Sequence, residues 1–222
     1  MKKYKPILRI LPVTLLCISV LVSCNPPVTF KEPQPAGVQN SPEFPKHLQG
    51  TYLSVADSST LIISNKVMRR ISLIKDTVNR HDIDTGFVQQ GDTLFNPYTG
   101  ETFRFTEKGG TLYTSRDYID TIFQIDYDNV LRKWKGYYFI NIRYDKEAWV
   151  VKKVELNKGK LSISSISALT DIEKLKEITE ATDDTLAPYS FAPTKKEFSE
   201  FVIEEGFGDT EIFIRISRIP ME

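Results

Sequence analysis

Apolar and polar residues alternate from residue 47 onward, in short runs that are separated by turn residues. In the runs 138–142 and 212–216, every second residue is a large apolar one. A period of two residues is typical of a β-strand with one buried and one solvated face. The pattern therefore predicts a mainly β fold over residues 47–222, made of antiparallel sheets that form a sandwich or a barrel-like body.

Turn signals divide this region into hairpins. The sequence Asn157-Lys158-Gly159-Lys160 separates two apolar runs and predicts a tight hairpin between them. A pattern of an apolar residue, Gly and Tyr occurs in 48–52 and again in 134–138. Two similar halves, 47–130 and 131–222, would explain the repetition. Chance would explain it equally well, because aromatic and β-branched residues are common in any sheet.

Two short accessory α-helices are expected near 171–181 and 195–205. Thr170 and Glu173 have the spacing of a capping box, and so have Thr194 and Glu197. Apolar residues recur along one side of each segment, and Gly206 is a suitable C-terminal stop. We therefore expect both helices to be amphipathic and to lie on the β body.

The N-terminus has the organisation of an export signal. Four basic residues precede a run from Ile10 to Val22 that is apolar almost throughout but too short to span a bilayer. The run ends in Leu21-Val22-Ser23-Cys24, which resembles the lipobox of bacterial lipoproteins. This resemblance implies that residues 1–23 are a signal peptide, and that Cys24 carries a thioether-linked diacylglycerol and an acylated amino group. The alternatives are an ordinary signal peptide and an uncleaved anchor.

Cleavage before Cys24 would change the composition of the chain. It would remove four of the 29 basic residues and none of the 29 acidic ones, and it would leave Cys24 as the only cysteine. The resemblance, together with Asn25 after the cysteine, leads us to expect an exported protein that is lipid-anchored to the outer membrane and faces the periplasm. The mature part also resembles uncharacterised lipoproteins of Bacteroidetes-type bacteria, which supplies no activity.

A proline-rich segment follows the cysteine. Residues 24–46 contain six of the twelve prolines, which disfavour a regular helix or a central strand. We expect this segment to be a tether, which would reach up to roughly 70 Å if it were extended as polyproline II. The alternative is an irregular segment that packs on the domain surface.

Few residues of the sequence are candidates for catalysis or for binding a metal or a ligand. The two histidines, His47 and His81, have no metal-ligand spacing, and Asp126-Tyr127-Asp128-Asn129 has only part of a calcium loop. Two groups of basic residues are candidates for contacts with anionic lipid head groups or glycans, although they are explained as well by solvated strand faces. One group of aromatic residues is a candidate for lining a sugar or lipid cleft, although core and sheet-face packing explains it as well. These groups are Lys66, Arg69, Arg70 and Lys75; Lys152, Lys153, Lys158 and Lys160; and Trp134, Tyr137, Tyr138 and Tyr144. We therefore predict no catalytic residue, no metal site and no cofactor.

These observations lead to one functional expectation and two alternatives. The balanced charge argues against a nucleic-acid partner. We expect a membrane-anchored cell-envelope lipoprotein with a non-catalytic binding or structural role, whose partners are the lipid bilayer, through acylated Cys24, and an envelope protein or glycan. One alternative is an envelope glycan hydrolase, which would need two carboxylates in a cleft. The other is a carrier of a lipid or hydrophobic ligand, which would need an enclosed apolar cavity.

Overall fold

The computed structural model describes residues 27–83, 86–179 and 187–218. The predicted fold class is confirmed, because these residues form a 15-stranded, almost wholly antiparallel sheet with two short helices. The sheet does not close on itself. The strands are β1 (Val28–Phe30), β2 (Asn40–Ser41), β3 (Gly50–Ser54), β4 (Thr60–Ile63), β5 (Val67–Asn79), β6 (Val88–Gln90), β7 (Thr93–Phe95), β8 (Thr102–Lys108), β9 (Thr111–Gln124), β10 (Asn129–Trp134), β11 (Tyr137–Arg143), β12 (Trp149–Asn157), β13 (Lys160–Ser165), β14 (Tyr189–Phe191) and β15 (Asp209–Ser217). The helices are α1 (Leu169–Ile178) and α2 (Lys195–Ile203).

The strand order joins the two stretches of similar sequence in one sheet. The order is β2-β10-β11-β12-β13-β15-β3-β4-β5-β9-β8-β7-β6, and β1 pairs with both β12 and β14. The last strand, β15, lies between β13 and β3 and so connects the two stretches. The predicted hairpin is confirmed: β12 and β13 pair up to Asn157 and Lys160, and Lys158 and Gly159 both have the positive φ of a two-residue turn.

One side of the sheet encloses an inner core. Its members come from nine strands, and only Phe44 and Leu48 lie outside strands. Two loop residues are too few to cover a flat sheet of nine strands, so the sheet must curve around its own side chains. The inner core consists of Phe44, Leu48, Tyr52, Leu61, Ile63, Met68, Phe123, Leu131, Tyr138, Ile140, Val154, Leu161, Ile163 and Phe213.

The opposite side of β10, β11 and β12 carries an outer core under the two helices. Strand alternation separates the two cores, since Phe139 belongs to the outer core and its neighbours Tyr138 and Ile140 belong to the inner one. Both helices contribute apolar residues to the outer core, as predicted from their amphipathic patterns. The outer core consists of Val28, Phe30, Val130, Phe139, Trp149, Val151, Ile166, Ile172, Leu175, Phe191, Phe198, Phe201, Val202 and Phe207.

The two capping predictions have opposite outcomes. At α2 the capping box is confirmed, because the backbone N–H of Glu197 donates to Thr194 Oγ1 at 3.3 Å and the N–H of Thr194 donates to Glu197 Oε2 at 2.7 Å. At α1 the capping box is wrong, because the helix begins before Thr170 and its N-cap, Ala168, has no side-chain cap. The buried Asp171 instead accepts a hydrogen bond from the N–H of Gly208 at 2.9 Å, which ties α1 to the chain that leads into β15.

The described part of the predicted tether, residues 27–46, belongs to the folded body. Strand β1 is buried along its whole length in the outer core, β2 pairs with β10, and Phe44 is fully buried in the inner core. The expectation of an extended spacer is therefore wrong for these residues. The prolines exclude helix, but they are compatible with short strands that are separated by turns.

Two side chains from β10 and β11 hold this N-terminal segment. The buried Asn141 accepts a hydrogen bond from the N–H of Gln34 at 2.5 Å and donates to the carbonyl of Gln34 at 3.0 Å. Arg132 donates to the carbonyls of Pro33 and Pro35, at 2.8 Å in the second case, and its burial lowers its pKa. Side chains thus satisfy backbone groups that the prolines and the turns leave unpaired.

A two-stranded arm extends from the curved sheet. Pairing of β5 with β4 ends at Ile71, and pairing of β9 with β8 is limited to 111–114, so no third strand of the described residues pairs with the middle of the β5–β9 ribbon. A third, small cluster of Leu94, Phe105 and Leu112 lies at the distal end of the arm. Within the described ranges, no helix is long and apolar enough to span a bilayer.

Candidate functional site

An open groove with a volume of about 660 Å³ lies on the outer side of β12, β13 and β15, beyond the area that the helices cover. Its polar lining consists of three lysines, two glutamates, three hydroxyl residues and an asparagine. These residues are Lys135, Lys153, Lys160, Glu155, Glu205, Ser162, Ser164, Thr210 and Asn157. Tyr137, Phe207 and the end of α2 form the adjoining wall.

The strand registers explain why these residues meet. Lys153 is opposite Ser164, Glu155 is opposite Ser162, and Asn157 is opposite Lys160 on the β12–β13 hairpin. Residues that lie directly opposite each other in an antiparallel pair share a face of the sheet. Strand β15 extends the same rows, since Thr210 pairs with Ser164 and their hydroxyl oxygens are 2.9 Å apart. Beyond the outer core, the face that bears Phe139 thus becomes a polar surface.

The wall of the groove is set by the turn after α2. The helix ends at Ile203, and Phe207 packs on Phe201 with a centroid distance of 5.4 Å. A Cβ at Gly206 would lie only 2.1 Å from the ring of Phe201, so this close approach requires glycine. The turn therefore presents Phe207 to the groove in a fixed position.

Lys153 occupies the centre of the aromatic part of the groove. Its ammonium group lies 5.2 Å from the ring centroid of Tyr137 and 5.7 Å from that of Phe207. These distances are within the range of cation–π attraction. Lys135 and Lys160, in contrast, are exposed at the edge of the groove. The groove therefore offers one positioned cation and two exposed ones beside hydroxyl groups, which suits binding of a polar ligand with acidic substituents.

The described lining of the groove lacks the usual arrangement for nucleophilic catalysis. None of the described residues that line it is histidine or cysteine, so none of its serines is beside the base that the usual Ser–His pair requires. Its two carboxylates, Glu155 and Glu205, are the groups in the groove on which hydrolysis of a glycan would depend.

The structure separates the aromatic residues that the sequence grouped together. Only Tyr137 lines the groove; Trp134 lies beneath α2 and donates from Nε1 to Ser199 Oγ at 2.7 Å, and Tyr138 is buried in the inner core. Tyr144 lines a different surface recess beside the β11–β12 turn. Of the predicted basic residues, Lys153 and Lys160 line the groove, and Lys135 joins them from the β10–β11 turn.

His47 makes structural contacts at one end of the inner core. Its Nε2 is 3.3 Å from the hydroxyl of Tyr138, and its carbonyl accepts a hydrogen bond from Arg215. Arg215 also donates to the hydroxyl of Tyr52, which itself donates to the carbonyl of Leu48 at 2.6 Å. Burial raises the pKa of Tyr52, and the hydrogen bond from Arg215 opposes this effect. His81 is exposed in a short 3₁₀ turn that follows β5.

The partial calcium motif forms a turn. Asp126 Oδ1 accepts hydrogen bonds from the backbone N–H groups of Asp128 and Asn129, both at 2.8 Å, and Asp128 pairs with Arg143 at 2.8 Å. Within the described part of the chain, no group of three or more His, Cys, Asp or Glu side chains is placed to hold a metal ion. Cys24 and the predicted signal peptide, residues 1–23, lie outside the described residues.

Comparison of the chain with protein-family models, with curated proteins and with solved structures finds no match. The groove was not predicted from the sequence, because its lining comes from the β10–β11 turn, the β12–β13 hairpin, the end of α2 and β15. The sequence signals for it were the basic group that includes Lys153 and Lys160 and the aromatic group that includes Tyr137. These signals could not show that a helix end and Lys135 complete the site.

Proposed function

We propose that this protein is a cell-envelope lipoprotein, anchored through acylated Cys24, that binds an acidic glycan without cleaving it. The observation that carries the binding role is the groove, which places three lysines beside hydroxyl and amide groups and an aromatic wall. Support for the anchor comes from the Leu21-Val22-Ser23-Cys24 sequence and its apolar leader.

The chemistry of the groove favours a glycan over an apolar ligand. Sugar hydroxyls both donate and accept hydrogen bonds, and Ser162, Ser164, Thr210 and Asn157 offer both functions along one open face. Ammonium groups at the edge add attraction to carboxylate or sulfate substituents. The partner chemistry is therefore that of a hydrated, negatively charged polysaccharide.

The binding test uses the soluble Cys24→Ser form without its signal peptide, with polygalacturonate as the acidic probe and dextran as the neutral one. We expect binding to polygalacturonate alone, and we expect the double variant Lys135→Glu/Lys160→Glu to weaken it by roughly tenfold or more, because hydrogen bonds to charged groups contribute about 1.5–3 kcal/mol. Calorimetric titration measures both effects.

A matched charge reversal distinguishes binding in the groove from general electrostatic attraction between the protein and the polymer. Lys66→Glu/Lys75→Glu changes the net charge equally at exposed positions outside the groove. This control should bind as well as the parent protein. Equal weakening by both double variants, or no binding to polygalacturonate, would contradict the proposal.

The hydrolase alternative is tested on the same complex. Glu155 and Glu205 line the groove, so a hydrolase would release new reducing ends from the bound polymer and would lose that activity in Glu155→Gln/Glu205→Gln. Release of reducing ends by the parent protein, and not by this variant, would replace the non-catalytic role with an enzymatic one.

The carrier alternative has weaker support. Large side chains fill the inner core, and Tyr52, Leu61, Ile63 and Met68 are fully buried there. A mainly apolar recess at the end of the arm has a volume of only about 230 Å³, which is below the range of about 300–1,000 Å³ that ligand pockets usually have.

The anchor has its own test. Expression with a radiolabelled fatty acid should label the parent protein, and the Cys24→Ser variant should remain unlabelled and unprocessed, because only the thiol can form the thioether. Equal labelling of both proteins would contradict the anchor.

A further inference from the structure

The start of β1 limits the distance between the body and the lipid. The carbonyl of Pro27 already accepts a hydrogen bond from the N–H of Tyr189 at 2.9 Å, and Val28 is 3% exposed. Three residues of chain lead from Cys24 to Pro27. Whatever their conformation, they span at most about 11 Å, since an extended residue covers about 3.3–3.6 Å.

This distance is short compared with the body itself. A compact domain of about 180 residues has a radius of gyration of roughly 16 Å. A connection of about 11 Å therefore cannot hold the body away from a bilayer that contains the acyl chains of Cys24. The surface around Pro27 is therefore tied to within about 11 Å of Cys24.

The residues near Pro27 define this surface. Pro27 lines a recess of about 160 Å³ together with Val150, Ile166 and other mainly apolar residues, and Lys152 and Ser167 lie at the same recess. Two residues beyond Ser167, the side chain of Leu169 is 72% exposed at the start of α1. An apolar side chain beside a lipid attachment point has a natural partner in the bilayer.

Charges near this surface are mixed. Lys176 places its ammonium group 4.0 Å from the ring centroid of Tyr189, and Lys152 is half-buried at the recess. Glu173 and Glu177 are exposed on α1 and offset these cations. Contact with the bilayer therefore depends on the covalent anchor and on apolar burial, and it does not require anionic lipid.

We propose that the surface formed by Pro27, Lys152, Ser167, Leu169 and Tyr189, the anchor face, lies against the membrane that holds Cys24. This inference rests on the anchor in the proposed function and is independent of the glycan. The β12–β13 turn is six residues from Lys152 along β12, which corresponds to about 20 Å. The groove, whose lining includes Asn157 and Lys160 beside that turn, then extends away from the bilayer.

The test places one fluorescent label on the anchor face and another in the β12–β13 turn. The acylated thiol of Cys24 is blocked, so a single introduced cysteine at an exposed position is the only reactive one. Leu169→Cys reports on the anchor face, and Lys158→Cys is the matched exposed control in the β12–β13 turn. Each full-length lipidated variant is labelled with an environment-sensitive dye and reconstituted into neutral phosphatidylcholine vesicles that contain headgroup-quencher lipid.

We expect the dye at residue 169 to be quenched and the dye at residue 158 to keep its fluorescence, in low and in high salt. If the protein floats with the vesicles, equal quenching at both positions, or stronger quenching at residue 158, would contradict the anchor face. If the protein does not float with the vesicles, the anchor itself is wrong, and the inference fails with it. The Cys24→Ser form of each variant, produced without residues 1–23, should remain unquenched.

Discussion

Phe44→Ala tests whether the proline-rich N-terminal segment is part of the folded body. Phe44 is fully buried in the inner core, and its ring meets that of Phe123 at 5.8 Å in an edge-to-face arrangement. Removing a buried Phe side chain typically costs about 3–5 kcal/mol, because burial is lost and a cavity remains. Truncation of a side chain in an extended spacer would leave the free energy of unfolding almost unchanged.

The measurement is urea unfolding of the soluble Cys24→Ser form, followed by the fluorescence of Trp134 and Trp149. With a slope of about 2 kcal/mol per molar urea, a loss of about 4 kcal/mol lowers the midpoint by about 2 M. The slope itself should stay unchanged, because the variant alters stability and not the extent of unfolding.

Glu43→Ala is the matched control, because Glu43 is the exposed neighbour of Phe44 in the same segment. Its free energy of unfolding should change by no more than about 0.5 kcal/mol. The reasoning would be refuted if Phe44→Ala behaved like this control, since the segment would then be detached from the inner core in solution.

Three further predictions concern individual interactions. Asn141→Ala should lower the free energy of unfolding by about 1–3 kcal/mol in the same assay, because it leaves buried backbone groups of Gln34 unpaired. Thr194→Ala should cost about 1 kcal/mol through the lost cap of α2, and Thr194→Ser should restore it. Hydrogen bonds from the side chain and the backbone of Ser59 lower the pKa of Asp57 to about 2 from 3.8, so the ionised form stabilises the fold above about pH 4 and this contribution is lost toward about pH 2. Ser59→Ala should therefore lose less stability than the parent protein between about pH 4 and pH 2 in acid titration, by a small amount because Asp57 is exposed.

Local sequence signals predicted local structure well. The box of Thr194 and Glu197 predicted α2, and Asn157-Lys158-Gly159-Lys160 predicted a hairpin whose central residues have positive φ. In both cases the interacting groups are within four residues of each other, so their chemistry is visible in the sequence. Thr170 and Glu173 have the same spacing but no box, because the N-cap of α1 is Ala168, two residues earlier, and the buried Asp171 accepts a hydrogen bond from Gly208 in the chain that leads into β15.

The N-terminal segment and the groove could not be predicted in this way. The partner of Gln34 is Asn141, 107 residues later, and no local pattern marks that pair. Proline content correctly excluded helix in 27–46, but it did not distinguish a free spacer from short strands held by distant side chains. The groove likewise depends on the registers between strands and on the position of a helix end. These are properties of the whole sheet, so no local pattern predicts them.

On the proposed export, the location of β1 would also set an order of events during biogenesis. Thr29 would leave the translocation channel well before Tyr189, which follows it by 160 residues and whose carbonyl accepts a hydrogen bond from Thr29. Pairings over such separations form late, since a long loop must close before they contribute. On the proposed anchor, the enzymes that acylate Cys24 and cleave before it would thus meet an unstructured substrate. Docking of β1 would then be among the last steps. It would complete the domain and at the same time bring the domain to the lipid surface.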